Sequence, residues 1–238
     1  MKIYPTITTI TGSEYKNKIK EATELDIKDI AFFPTCLNEE QRKEAYVLIE
    51  KSSIRNIPFV HLRSDMGLWE LDYFIKKYNT QVFNIHSEKE YPVNPEWIKY
   101  RNIIGVENVY AFFDEEEIKK FGGICLDFSH LDNDRLTNKE RYAWDLALLE
   151  KYPIRCNHIS VMETNFHLDE GNENAIRYDS HFLKDLSQLD YLKKYPIDYF
   201  SDFCAMELEN KIIDQLKAIN YVNNLLKDRD GIVKGMGF

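Results

Sequence analysis

Short apolar runs punctuate the chain, and most are followed by a stretch with helical periodicity. The runs are Ile3–Ile10, Asp29–Phe33, Ile57–Leu62, Gln81–Ile85, Ile103–Val106, Gly123–Leu126, Ile154–Ile159 and Phe203–Leu208. Most are β-branched or aromatic and bounded by turn residues, as strands buried on both faces are. Between them, Asn38–Gln41, Asp114–Glu117 and Thr137–Glu140 each pair an N-cap residue with Glu or Gln three positions on, the capping-box spacing. A last helix places Ile212, Ile213, Leu216, Ile219, Val222, Leu225 and Leu226 on one face. Eight strands alternating with helices predict an α/β fold, one compact (β/α)8 barrel spanning residues 1–238. Its helices after the fourth and fifth strands should be short. A doubly wound open sheet is the runner-up, but no G-x-G-x-x-G or G-x-x-x-x-G-K-[ST] supports a nucleotide-binding version. The tail Asp228–Phe238 carries three glycines and reads as a loose end.

Charge narrows the function classes. The 31 Lys+Arg against 40 Asp+Glu leave a net charge of −9, which disfavours a basic nucleic-acid-binding domain. Cys36, Cys125, Cys156 and Cys204 form no C-x-x-C, and the last three sit in apolar runs as small hydrophobes. That usage points to a reducing, cytoplasmic setting. The N-terminus shows no secretory pattern, and no apolar run is long enough to span a membrane. No obligate protein partner is evident.

In a barrel of this kind, chemistry sits at the C-terminal ends of the strands. Read in order, those ends carry His61, His86, Glu107, Asp127 with His130 three residues on, His158 and Glu207. Asp179-Ser180-His181 follows the seventh run. Five of the six histidines fall in this pattern, leaving only His167 outside. Glu107, Asp127 and Glu207 gathered at one mouth would repel each other and take up protons unless a cation balanced them. Mixed His, Asp and Glu ligation suits zinc, manganese or iron. Glu209 competes with Glu207 for the eighth strand end, because strict alternation puts both on one face. Glu88, Glu90 and Glu163 follow strands four and seven and read as solvated loop residues.

This ordered series resembles the xylose isomerase-like barrel superfamily, and is most similar within it to the endonuclease IV pattern. The resemblance covers most of the chain, and Glu107-Asn108 and the CLDFSH stretch look like that pattern's fifth and sixth strand signatures. It implies a set of two or three zinc ions held by His61, His86, Glu107, Asp127, His130, His158, Asp179, His181 and Glu207. The isomerase and epimerase branch resembles a subset, one divalent ion held by Glu107, Asp127, His158 and Glu207. The chain departs from the endonuclease pattern on its first strand, YPTITT. It departs again after Glu107, in VYAFFDEEE, and after His158, in ISVMET. Those are loops that hold DNA in that family.

Two activities follow as expectations. The first is a zinc-dependent phosphoester hydrolase on a small-molecule or nucleic-acid substrate. Metal-bound hydroxide is the nucleophile, Glu107 the bridging carboxylate, and Arg63 or Arg177 the phosphate contact. The alternative is a manganese- or magnesium-dependent sugar isomerase or epimerase. There Glu107 and Glu207 move a carbon-bound proton through an enediolate, and Trp69, Phe112 and Phe113 stack on the sugar.

Overall fold

The structure, a computed structural model, describes residues 1–10, 14–109, 111–169 and 172–235. Eight parallel strands close into a barrel: β1 (Lys2–Thr8), β2 (Asp29–Phe33), β3 (Asn56–His61), β4 (Val82–Ile85), β5 (Ile104–Glu107), β6 (Gly123–Asp127), β7 (Ile154–Ile159) and β10 (Phe203–Met206). The helices are α1 (Tyr15–Glu24), α2 (Glu39–Glu50), α3 (Leu68–Tyr78), α4 (Glu115–Lys120), α5 (Phe128–Thr137), α6 (Lys139–Leu149) and α7 (Ile212–Gly235). As expected, the connections after the fourth and fifth strands are slight. A 3₁₀ segment, Pro95–Ile103, follows β4, and the one-and-a-half-turn α4 follows β5.

Period-two alternation sorts the strand residues. Ile104 and Val106, Ile124 and Leu126, and Cys204 and Met206 face outward into the apolar layer under the helices. The alternate positions face the barrel axis. Tyr4, Ala31, Phe33, Phe59, Val82, Cys125, Cys156 and Ala205 form that inner core. Their continuations two residues on are His61, Asn84, Asp127, His158 and Glu207, so one phase carries both the floor and the mouth. Gly123 opens β6 at φ +140°, where a Cβ would lie 2.2 Å from the Pro153 carbonyl oxygen, so a side chain there would push strands β6 and β7 apart.

Four features differ from the sequence expectation. First, Val161–Asp169 (β8) and Asn172–Ser180 (β9) form an antiparallel ribbon outside the barrel, where a loop was expected. Much of β8 is exposed, so it shows no one-sided apolar pattern. Second, the cap of α6 is Asn138, which accepts from the Arg141 amide, not Thr137, whose hydroxyl bonds back to the Asn133 carbonyl. Third, Ile213 lies off the buried face of α7, and Gln215 replaces it at that face, fully buried. Fourth, α7 runs on to Gly235, so the expected loose tail is helical over 228–235, since extending a helix costs little once it is nucleated. Residues 236–238 lie outside the described residues.

Candidate functional site

The C-terminal ends of β3 to β7 and β10 converge on Glu107. Its Oε2 lies 3.1 Å from His61 Nε2 and 3.8 Å from His86 Nε2. Its Oε1 lies 3.3 Å from His158 Nδ1 and 4.0 Å from His130 Nδ1. His158 Nδ1 is also 3.2 Å from Glu207 Oε2 and 3.9 Å from Asp127 Oδ2. All of these groups but His86 are buried, and His86 is about one-third exposed by side chain.

Residues on the flanks fix the carboxylates. Asn84, inward on β4, donates from Nδ2 to Glu107 Oε2 at 2.6 Å. Asp127 caps α5: its Oδ1 accepts from the Ser129 amide and hydroxyl, both at 2.7 Å, and from the His130 amide at 2.9 Å. Asn108 clamps the Asp127 backbone, accepting its amide at 2.6 Å and donating to its carbonyl at 3.0 Å. The Asn108 carbonyl in turn meets His130 Nδ1 at 3.0 Å, which aims Nε2 inward. The sequence reading named Asn108 only as part of a signature and missed Asn84.

Burial alone would raise these carboxyls, but the rings outweigh it. His158, His61 and His86 hold Glu107 well below the usual carboxylate range, and His158 and His181 hold Glu207 down to about 2. Burial would also discharge His158, yet Glu107 and Glu207 push it well above an ordinary imidazole. The same opposition, led by Asp127 and Asp179, raises His130. His61 goes the other way, lowered because burial outweighs Glu107.

A cation would fit here better than a proton. Among the described residues, Asp127 Oδ2 and His158 Nε2 are buried without a hydrogen-bond partner, a costly arrangement unless another partner binds them. Three ligand atoms lie within 4.8 Å of one another in each of four groups: His61, His86 and Glu107; Glu107, Asp127 and His130; Asp127, His158 and Glu207; and Glu107, Cys125 and His158. The donor chemistry of nitrogen and oxygen suits a divalent transition ion.

The remaining sequence candidates divide. The ribbon register Met162↔Asp179 returns Asp179 to the mouth, 3.5 Å from His130 Nε2. Arg177 donates to Asp179 through two nitrogens and to Asp169 at 2.9 Å. His181 bonds the Glu207 carbonyl through Nδ1 at 3.2 Å and stands at the rim. Arg63 does face the mouth, held by Asp65 and the Thr35 carbonyl. With Thr35, His61, His86, Tyr91 and Trp97 it lines a cavity of about 300 Å³.

Trp69 does not reach that cavity. It lies on α3, folded against Gly67 and edge-on to Tyr46 at 6.3 Å, with half its surface in solvent. Phe113 is buried and Phe112 exposed, and neither lines the cavity, whose aromatic walls are Tyr91 and Trp97. Glu207, not Glu209, is the residue at the site, because β10 ends at Met206 and alternation stops there. Glu90 sits 3.3 Å from His86 Nδ1, closer to the site than expected, whereas Glu88 and Glu163 pair with Lys120 and Lys184. Among the described residues, no helix is long and apolar enough to cross a membrane.

No protein-family model and no curated protein matches the chain. Among solved structures, it is similar to a D-tagatose 3-epimerase-like protein at 15% identity and a TM-score of 0.45, over 98% of this chain and 100% of that one. It is also similar to a xylose isomerase domain protein from Planctomyces limnophilus at 11% identity and a TM-score of 0.45, over 98% and 97% of the two chains. The barrel itself is established by the closed order of its eight strands.

Proposed function

We propose that this chain is a divalent-metal-dependent enzyme that isomerises or epimerises a small hydroxycarbonyl substrate of the sugar class. The observation that carries this reading is the convergence of two glutamates on one ring nitrogen. Glu107 and Glu207 stand 3.3 and 3.2 Å from His158 Nδ1, with Asp127 Oδ2 at 3.9 Å from the same atom. Glu107, Asp127, His158 and Glu207 would hold the ion. When bound, such an ion polarises a carbonyl and its neighbouring hydroxyl, which acidifies the intervening C–H.

The chain's own groups then handle the proton. One glutamate accepts it from carbon, and the other returns one to the opposite face or the neighbouring carbon. Glu207 is the more accessible of the two. The cavity of about 300 Å³ is at the lower end for small-molecule sites, and it meets the proposed centre through His61 and His86, the Glu107 neighbours in its wall, rather than through the glutamates themselves.

One observation favours the hydrolase as a second reading. His61 and His86 form a further ligand group that shares Glu107. A second divalent ion held by His61, His86 and Glu107 would supply water activation for phosphoester hydrolysis.

The test is proton exchange. Metal-loaded protein is incubated in deuterated water with a panel of ketoses, aldoses and their phosphates, and the carbon-bound hydrogens are followed by NMR. Deuterium entry, lost in Glu207→Gln, is the expected result. Cleavage of a phosphodiester with no exchange into any sugar would overturn it in favour of the hydrolase.

A further inference from the structure

Directly beneath the carboxylates the barrel floor carries sulfur. Cys125 is paired in register with Glu107 across β5 and β6, and it sits two residues before Asp127 on the same inward phase of β6. It is fully buried, and its sulfur comes within 4.8 Å of ligand atoms of both Glu107 and His158. His158 is buried, with Nδ1 turned to the Glu107 and Glu207 carboxylates at 3.3 and 3.2 Å, the atoms that would share an ion with it. Phe33 and Phe59 pack on the His158 ring at 4.7 and 5.5 Å, which leaves the floor beside Cys125 otherwise apolar.

We infer that Cys125 is a thiolate ligand of the ion held by Glu107 and His158, and that the site therefore prefers zinc, iron(II) or cobalt(II) to magnesium or manganese. The inference rests on the metal-dependent reading above and deepens it by naming the class of ion. Soft sulfur donors select these ions, whereas an all-oxygen and imidazole set discriminates less. The step is a ligand exchange. The S–H bond breaks, its proton leaves to water, and the sulfur's electron pair forms the bond to the ion, with no change of oxidation state. A cation is what would make the thiolate.

The experiment is cobalt substitution of the full chain. Protein stripped of metal is titrated with cobalt(II) without oxygen, and the near-ultraviolet thiolate-to-cobalt charge-transfer absorption is recorded. The expected result is a band that rises with the first equivalent, disappears in Cys125→Ser and persists in Cys156→Ser. Cys156 is buried beside Cys125 in the same floor, so its variant controls for repacking. Cobalt bound without the band overturns the role of Cys125 and leaves the metal-dependent reading standing. A band that survives Cys125→Ser, or vanishes in Cys156→Ser, overturns it too. If no cobalt binds, both readings fall together.

Discussion

Asn84 Nδ2 and His61 Nε2 share one acceptor, Glu107 Oε2, at 2.6 and 3.1 Å. The amide therefore sets which lone pair Glu107 can present to the histidines. Its own Oδ1 is buried and has no hydrogen-bond partner among the described residues, so the side chain is oriented by its bond to Glu107. Asn84→Ala should weaken metal binding about ten- to a hundredfold, the usual effect of removing a group that orients a ligand. Isothermal titration with zinc measures it, and circular dichroism should show an unchanged fold. An unchanged affinity would mean that the histidines alone orient Glu107.

Glu207 and Glu209 lie two residues apart but are not equivalent. Glu207 meets His158 at 3.2 Å, while the Glu209 amide bonds the His181 carbonyl at 2.7 Å and its side chain is only half-buried. Glu207→Gln should lower turnover by on the order of a thousandfold, the scale of lost general acid–base catalysis. Glu209→Gln should stay within about threefold of the parent, as surface changes do. Equal losses would show that the site extends past the strand end.

The strand ends were legible because a buried parallel strand leaves a dense apolar run, and its last inward residue is where polarity returns. His61, Glu107, Asp127 and His158 all stand at such points. Asn84 and Cys125 were not legible as site residues. Each lies inside an apolar run, where an amide or a thiol reads as core, and only closure of the barrel brings either beside Glu107. Trp69 does not line the cavity, because its position after β3 says nothing about which face of α3 it takes. Thr137 and Asn138 are adjacent residues that both cap helices well, and sequence alone does not choose between them. The ribbon was missed because exposed strands lack a one-sided apolar pattern.

Metal should also act on stability. The site gathers Glu107, Asp127 and Glu207 around His158, and a bound ion would balance these carboxylates only in the folded chain. A free concentration a thousandfold over Kd stabilises by about 4 kcal/mol. For a chain of this length that corresponds to a rise in Tm of about 10 °C. Thermal unfolding with zinc and with excess chelator checks this. Identical curves would sink the metal-dependent reading regardless of any activity found.

Away from the mouth, Asp145 on α6 is buried with neither carboxylate oxygen hydrogen-bonded. Burial, and then the neighbouring Asp134, push it from 3.8 up to about 8, against the opposing pull of Arg141. Below about pH 4 both folded and unfolded chains carry the proton, and the group does not affect the balance. As pH rises from there toward about 8, the unfolded chain releases its proton and the folded one keeps it, so stability falls across that window. The loss should be on the order of 3 kcal/mol, less than the full shift implies because water relaxes around the group. Asp145→Asn removes the titration while keeping the shape. Its stability relative to the parent should be near equal at about pH 4 and rise steadily to about pH 8. Urea unfolding of both chains across that range reads the difference, and a constant offset would show that Asp145 keeps an ordinary carboxylate in the folded protein.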